Sequence, residues 1–323
     1  MHLPRLIPLL VPFAGLIAPA AGHAQTYPSK PIQIVVPAAP GGSPDILVRL
    51  LAPSLAAQLG QPITIENRPG GAGNIASQHV ARAAPDGYTL LLATDIISIN
   101  QSLFTKLPFD ARTSFAPIVH AISSPQVFAV NPAVPARSVQ EFLKLAKAAP
   151  GKYSLASPAI GTTGQLGVLL LQSQAAIEVK PVVYRSAQPA LTDVLGAHAD
   201  GIIVTIAPAL PFIREGRLRA LAVSTARRSA ALPDVPTFAE QGLPDFVFDS
   251  WQGFVAPAGT SPEIIDRLNR AFNAVLREPE IRRQLQAQAF DPAGGSPDAL
   301  RKVIGDGIVN WGKVIRAHDI RVE

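Results

Sequence analysis

Short apolar runs alternate along this chain with longer stretches of helical spacing. Ile32–Val36 is branched and apolar, as a buried parallel strand requires. Asp45–Leu59 is amphipathic and stops at Gly60, which suits a helix C′ position. Ile63–Glu66 reads as a second strand, Asn74–Ala84 as a second helix stopped by Pro85-Asp86-Gly87, and Tyr88–Ala93 as a third strand. This βαβαβ pattern predicts a parallel sheet with helices on both faces.

The pattern then changes hands. Two β-rich runs, Phe115–Ala121 and Gln126–Val130, flank Ser123-Ser124-Pro125. They predict a strand that leaves a first lobe, bends at the Ser-Pro step and enters a second. Ser138, with Glu141 three residues on, marks a capping box and a helix through Ala148. Tyr153–Ala156, Val179–Tyr184, Gly201–Thr205 and Leu218–Val223 read as strands, with helices between them. Ser250–Val255 reads as a strand crossing back, and Ser261-Pro262-Glu263 opens a further helix. The expected organisation is a discontinuous first lobe, 25–124 plus 225–323, and an inserted second lobe, 125–224. Two crossings between α/β lobes make a hinge.

Composition adds a compartment. Residues 1–24 carry Arg5, an apolar run from Leu6 to Ala21, and the small-x-small pattern Gly22-His23-Ala24. That is the pattern of a cleaved secretory leader, so the expected location is the periplasm. No later run is long and apolar enough to predict a membrane span. The chain has no cysteine, which excludes disulfides, a thiolate nucleophile and cysteine metal sites. The net charge of +5 is spread out, with no basic run interleaved with aromatics, so nucleic acid is not an expected partner.

The candidate chemistry sits where strands meet helices. After the first strand comes Pro37-Ala38-Ala39-Pro40-Gly41-Gly42-Ser43-Pro44-Asp45. Ser43 suits an N-cap, Pro44 the first helical position, and Asp45 the first turn. Such a turn presents backbone N–H groups to an anion at the carboxyl end of a strand. The second lobe repeats the device in Ser157-Pro158-Ala159-Ile160-Gly161-Thr162-Thr163-Gly164. One such turn is most often only a connection; two, in corresponding places, suggest a clamp.

Other features read as structure. Gly71-Ala72-Gly73-Asn74-Ile75-Ala76 spells G-x-G-x-x-A, but Asn67-Arg68-Pro69 separates it from the strand, and the next strand ends in Ala93-Thr94, so a dinucleotide site is not expected. His79, His120, His198 and His318 lack metal-ligand spacing, so no metal or other cofactor is expected. No G-x-S-x-G elbow occurs. Trp251 and Phe254 read as core or hinge packing.

Several segments together resemble the Bug family of periplasmic solute-binding proteins, the receptors of tripartite tricarboxylate transporters. They are Tyr27-Pro28-Ser29-Lys30-Pro31-Ile32, the Val36–Asp45 loop, Glu66-Asn67-Arg68-Pro69-Gly70, Ala84-Pro85-Asp86-Gly87-Tyr88, Leu232-Pro233-Asp234-Val235-Pro236-Thr237 and Ala256-Pro257-Ala258-Gly259-Thr260. The resemblance spans the mature chain. It implies a type II periplasmic-binding-protein fold, no catalytic residue, and capture of a small carboxylate between two α/β lobes. The partner it implies is a membrane permease; a sensor-kinase ectodomain is the alternative, and the receptor itself is expected as a monomer. Carried over residue by residue, the contacts are Ala38, Ala39, Gly41, Gly42, Ser43 and Asp45 on one lobe, and Ser157, Ile160, Gly161, Thr162 and Thr163 on the other. Thr94 and Tyr184 match cleft residues of the family.

Departures from the family pattern fall at Ser43, Pro44, Asp95, Gln165 and Val204. Val204-Thr205 leaves one wall uncharged. Asp95 either caps a helix or faces the cleft; if it faces the cleft, the ligand carries a cationic or donor group at that end.

Overall fold

The computed structural model describes residues 27–322; the expected leader, 1–24, lies outside them. The first lobe begins with β1 (Ile32–Val36), α1 (Ser43–Leu59), β2 (Ile63–Asn67), α2 (Asn74–Ala81), β3 (Thr89–Thr94) and α3 (Ile96–Leu103). β1 lies between β2 and β3, parallel to both. The long strand β4 (Phe115–Val130) then carries the chain across. The second lobe holds α4 (Val139–Ala148), β5 (Ser154–Ser157), α5 (Thr163–Ala175), β6 (Lys180–Val183), α6 (Ala187–Leu195), β7 (Gly201–Thr205), α7 (Ile206–Arg214) and β8 (Arg219–Val223). β9 (Asp249–Pro257) returns the chain to α8 (Pro262–Arg277), α9 (Pro279–Ala287), β10 (Asp291–Pro292) and α10 (Pro297–Ala317).

Both lobes obey one strand order. The first runs β2-β1-β3-β9-β4, and the second runs β6-β5-β7 and then β4 with β8 on its far side. In each, the third parallel strand meets an antiparallel crossing strand: β3 pairs with β9 and β7 with β4. No break occurs at Ser123-Ser124-Pro125, contrary to the expected bend. Pro125 is the last residue of β4 paired with β9, opposite Asp249, and Gln126 is the first paired with β7. The missing proline N–H falls at the handover between two ladders, where it interrupts neither.

α1 also starts earlier than the pattern predicts. Gly42, not Ser43, is the cap, because its carbonyl accepts from the Ile46 amide at 2.9 Å. Ser43 becomes the first helical residue and Pro44 the second. The one-residue shift leaves the Ser43 hydroxyl free of capping.

The sheets are covered on both faces. α1 and α8 bury one face of the first lobe, with Phe254 stacked on Phe272 at 4.2 Å between ring centroids. Val80, Leu300 and Ile304 cover the other face. In the second lobe Phe128 meets Phe142 edge to face at 5.0 Å. The segment 225–248 lies against this second lobe, since Phe238 stacks on Phe128 and Phe246 packs beside it. α10 reaches across as well: Trp311 touches Phe248, and His318 Nε2 lies 2.8 Å from Ser173 Oγ. Trp251 and Phe254 are both buried in cores, as their sequence reading expects.

Candidate functional site

The strand-to-helix loops at the carboxyl ends of β1 and β5 adopt one conformation. Gly41 and Gly161 both take positive φ, 82° and 74°. The Gly41 amide donates to Asp45 Oδ2 at 2.8 Å, and the Gly161 amide donates to Gln165 Oε1 at 2.7 Å. Each bond spans four residues and folds the loop over its own helix start. Gly42 N–H donates to the Ala39 carbonyl and Thr162 N–H to the Ala159 carbonyl, which makes Ala39 and Ala159 equivalent. The amides of Ala38, Ala39, Ala159 and Ile160 have no partner among the described residues. They stand beside helix N-termini, where an anion is favoured. Ala39 and Ile160 are exposed.

The supports beneath the two loops differ in charge. Asp45 is buried, yet its carboxylate accepts from Gly41, from Arg49 Nε at 2.8 Å and from Asn67 Nδ2 at 2.9 Å. Asn67 also donates to the Ala38 carbonyl. The Arg49 hydrogen bond is the largest of the influences that hold the Asp45 carboxyl down to about 2. Asp45 is therefore a charged buttress beneath its loop. Gln165 does the same work in the second lobe without charge.

Below the loops the crossing strands supply a polar floor. Gln252 of β9 pairs with Thr94, and its Nε2 donates to Ser43 Oγ at 2.8 Å. Gln126 of β4 pairs with Thr205, and its Nε2 donates to Thr163 Oγ1 at 3.0 Å. Each glutamine holds the hydroxyl at a helix start, and each keeps a buried Oε1 without a protein partner. Ser124 and Ser250 face each other across the β4–β9 ladder, two residues before these glutamines. Residue types alone did not single out the glutamines, yet a signal exists. Ser-x-Gln-x-Phe occurs at Ser124–Phe128 and Ser250–Phe254, on the two strands that cross between lobes, and a third time at Ser138–Phe142, where α4 begins.

Asp95 joins this floor. It occupies the cap position of α3, but its side chain makes no capping bond. Instead its Oδ2 accepts from Ser250 Oγ at 2.9 Å, and the Thr163 hydroxyl of the other lobe also reaches it. Burial, reinforced by the charge of Asp249, pushes its carboxyl up to about 7 against the pull of those two hydroxyls. Thr94 and Ala38 line one cavity of about 250 Å³ at the ends of β1 and β3, together with Pro37, Pro44 and Asn100. Ser157 is fully buried at the end of β5, and its Oγ has no partner among the described residues. Tyr184 donates its hydroxyl to Asp193 at 2.7 Å, and burial with that bond raises its pKa to about 12. Val204 is buried in the second-lobe core against Val127, not displayed on a wall.

Two α/β lobes, joined by crossing strands and each presenting an amide loop at its strand ends, define a two-lobed binding protein of the periplasmic-binding fold. Comparison with known proteins narrows the class. Residues 47–320 match the family model of the tripartite tricarboxylate transporter family receptor. Protein BugT of Bordetella pertussis is 36% identical over 98% of each chain. A solved Rhodopseudomonas palustris protein with adipate is 32% identical, with a TM-score of 0.79, over 92% of this chain and 100% of that one. A second from the same organism, MatC with bound malate, is 30% identical, with a TM-score of 0.75, over 90% and 100%. The chain belongs to the tripartite tricarboxylate transporter receptor family.

Proposed function

We propose that this chain is a periplasmic receptor that captures a small organic carboxylate between its lobes and hands it to a membrane permease. The observation that carries the reading is the pair of equivalent loops with unpartnered amides, one per lobe. A carboxylate oxygen at each loop would complete hydrogen bonds that the protein leaves open, at the favourable end of a helix dipole. The likeness to proteins bound to adipate and malate supports a carboxylate over a phosphate or a sugar.

The mechanism is capture without a catalytic step. The ligand favours the arrangement in which both loops reach it, and its differential affinity sets the population of that state. The crossing strands near Pro125 and Asp249 are where the lobes turn, and the monomer so closed is the form a permease recognises.

Native mass spectrometry of the purified protein, followed by a thermal-shift screen, tests this. Small carboxylates are expected to raise Tm, by about 2.7 kcal/mol of stabilisation at a hundred times Kd. A sugar or a metal ion that stabilises the protein while every carboxylate fails would overturn the reading. Ligand-dependent retention of permease subunits on the immobilised receptor tests the partner.

A further inference from the structure

The first-lobe end of the cleft holds one open acceptor whose orientation its neighbours fix. The Asn100 amide is buried, and its Nδ2 donates to the Ala72 carbonyl at 3.0 Å and to Asn74 Oδ1 at 2.7 Å. The Ala72 carbonyl can only accept, so it fixes the orientation of the Asn100 amide. Asn100 Oδ1 is left without a protein partner on the wall of the cavity at the ends of β1 and β3. No charged residue lines that cavity, and its wall is mostly apolar. Two lining residues, Thr94 and Ile96, bracket Asp95. Gln252, beside Thr94 in the β3–β9 ladder, meets the Ser43 hydroxyl, which can donate or accept, so its open amide atom is not fixed as that of Asn100 is.

A buried acceptor without a donor is costly, and a second anion brought against it adds repulsion. A bare carboxylate end therefore matches the amide loops but not this acceptor. An ammonium or hydroxyl group matches it.

We propose that the captured ligand is a carboxylate bearing a hydroxyl or ammonium group, and that Asn100 is the residue that selects for it. The inference rests on the carboxylate-receptor reading above. The carboxylate lies on the amide loops, and the O–H or N–H end enters the first-lobe cavity and donates to Asn100 Oδ1. Thr94 and Gln252 frame that end.

Calorimetry with matched acids on the wild-type protein tests this. The probes are succinate against malate and aspartate, and adipate against alpha-aminoadipate. The donor-bearing member of a pair is expected to bind about tenfold or more tightly. In Asn100→Leu the preference is expected to shrink to about threefold or less, with the bare acid still bound. If the bare acids bind as tightly as their partners, water serves the Asn100 acceptor and the proposal falls, while the receptor reading stands. If no acid of either kind binds, both fall. Should Asn100→Leu fail to fold, Asn100→Ala takes its place, and a preference that persists undiminished in either variant overturns the role of Asn100.

Discussion

The two lobes build the same device from different residues. Each has a loop closed by a positive-φ glycine, a side chain four residues on that holds that glycine's amide, and a glutamine beneath. The first lobe uses Asp45, neutralised by Arg49, where the second uses Gln165. The first places Asp95 after the Thr94 that ends β3, where the second places Ile206 after Thr205. Ser250 consequently finds a carboxylate, while its counterpart Ser124 keeps a buried hydroxyl without a partner. In the proposed reading the shared frame grips an anion. The substitutions within it give the first lobe two carboxylates, Asp45 and Asp95, that the second lacks at the matching positions, and the proposal places the reading of the ligand's second end there.

The buttresses give the sharpest contrast. Asp45→Ala strips Gly41, Arg49 and Asn67 of an acceptor and is expected to destabilise by about 3 kcal/mol in urea denaturation, with carboxylate affinity down more than tenfold. Gln165→Ala removes one neutral bond and is expected to destabilise by about 1 kcal/mol. Equal effects would erase the distinction between the lobes. The Asp45 contribution also has a signature in acid. Its folded carboxyl lies near 2, so the stabilisation is full above the ordinary carboxylate range and is lost as pH falls from about 4 towards 2.

The glycines come next. A Cβ at Gly161 would overlap the buried Leu103 side chain, whereas one at Gly41 meets nothing. Both carry the backbone strain of positive φ. Gly161→Ala is expected to destabilise by about 2–3 kcal/mol and Gly41→Ala by about 1 kcal/mol, read from thermal melts.

Asp95 runs the opposite way in pH from Asp45. Its folded carboxyl is raised to about 7, so the folded state holds a proton that the unfolded state has lost. Stability is then highest below pH 4, falls as pH rises towards 7, and levels above it. Asp95→Asn, which keeps an acceptor for Ser250, is expected to flatten that slope and to gain about 2 kcal/mol at pH 8. A mutant with the wild-type slope would show that another group carries it. The smallest effect is expected at the half-buried Tyr184. Tyr184→Phe removes only the bond to Asp193 and should change stability by less than about 1 kcal/mol.

Much of this frame was legible in the chain because local chemistry dictates it. Apolar runs with Gly, Ser and Pro at their ends placed the strands and helix starts, and the two loops were visible as a repeated motif. Less legible were features that depend on pairing between distant strands. Pro125 reads as a break, yet it sits where a strand changes partners, so its missing N–H interrupts no ladder. Ser43 reads as a cap, yet the preceding Gly42 takes that place and frees its hydroxyl for Gln252. Asp95 has the position of a cap, but Ser250, far along the chain, recruits its carboxylate. Val204 follows a wall pattern in sequence, and only the strand order shows that it faces the core. Asn100 carries no motif of its own, and the Ser-x-Gln-x-Phe pattern around the two glutamines is shared by the start of α4, so only the pairing of the crossing strands sets them apart.

The most direct test of the paired-loop clamp is an amide NMR titration with a carboxylate found to bind. The Ala38 and Ala39 amides of the first lobe and the Ala159 and Ile160 amides of the second are expected to shift together, at one-to-one stoichiometry and with a single Kd. Shifts confined to one loop, or two loops saturating with different constants, would contradict capture between the lobes.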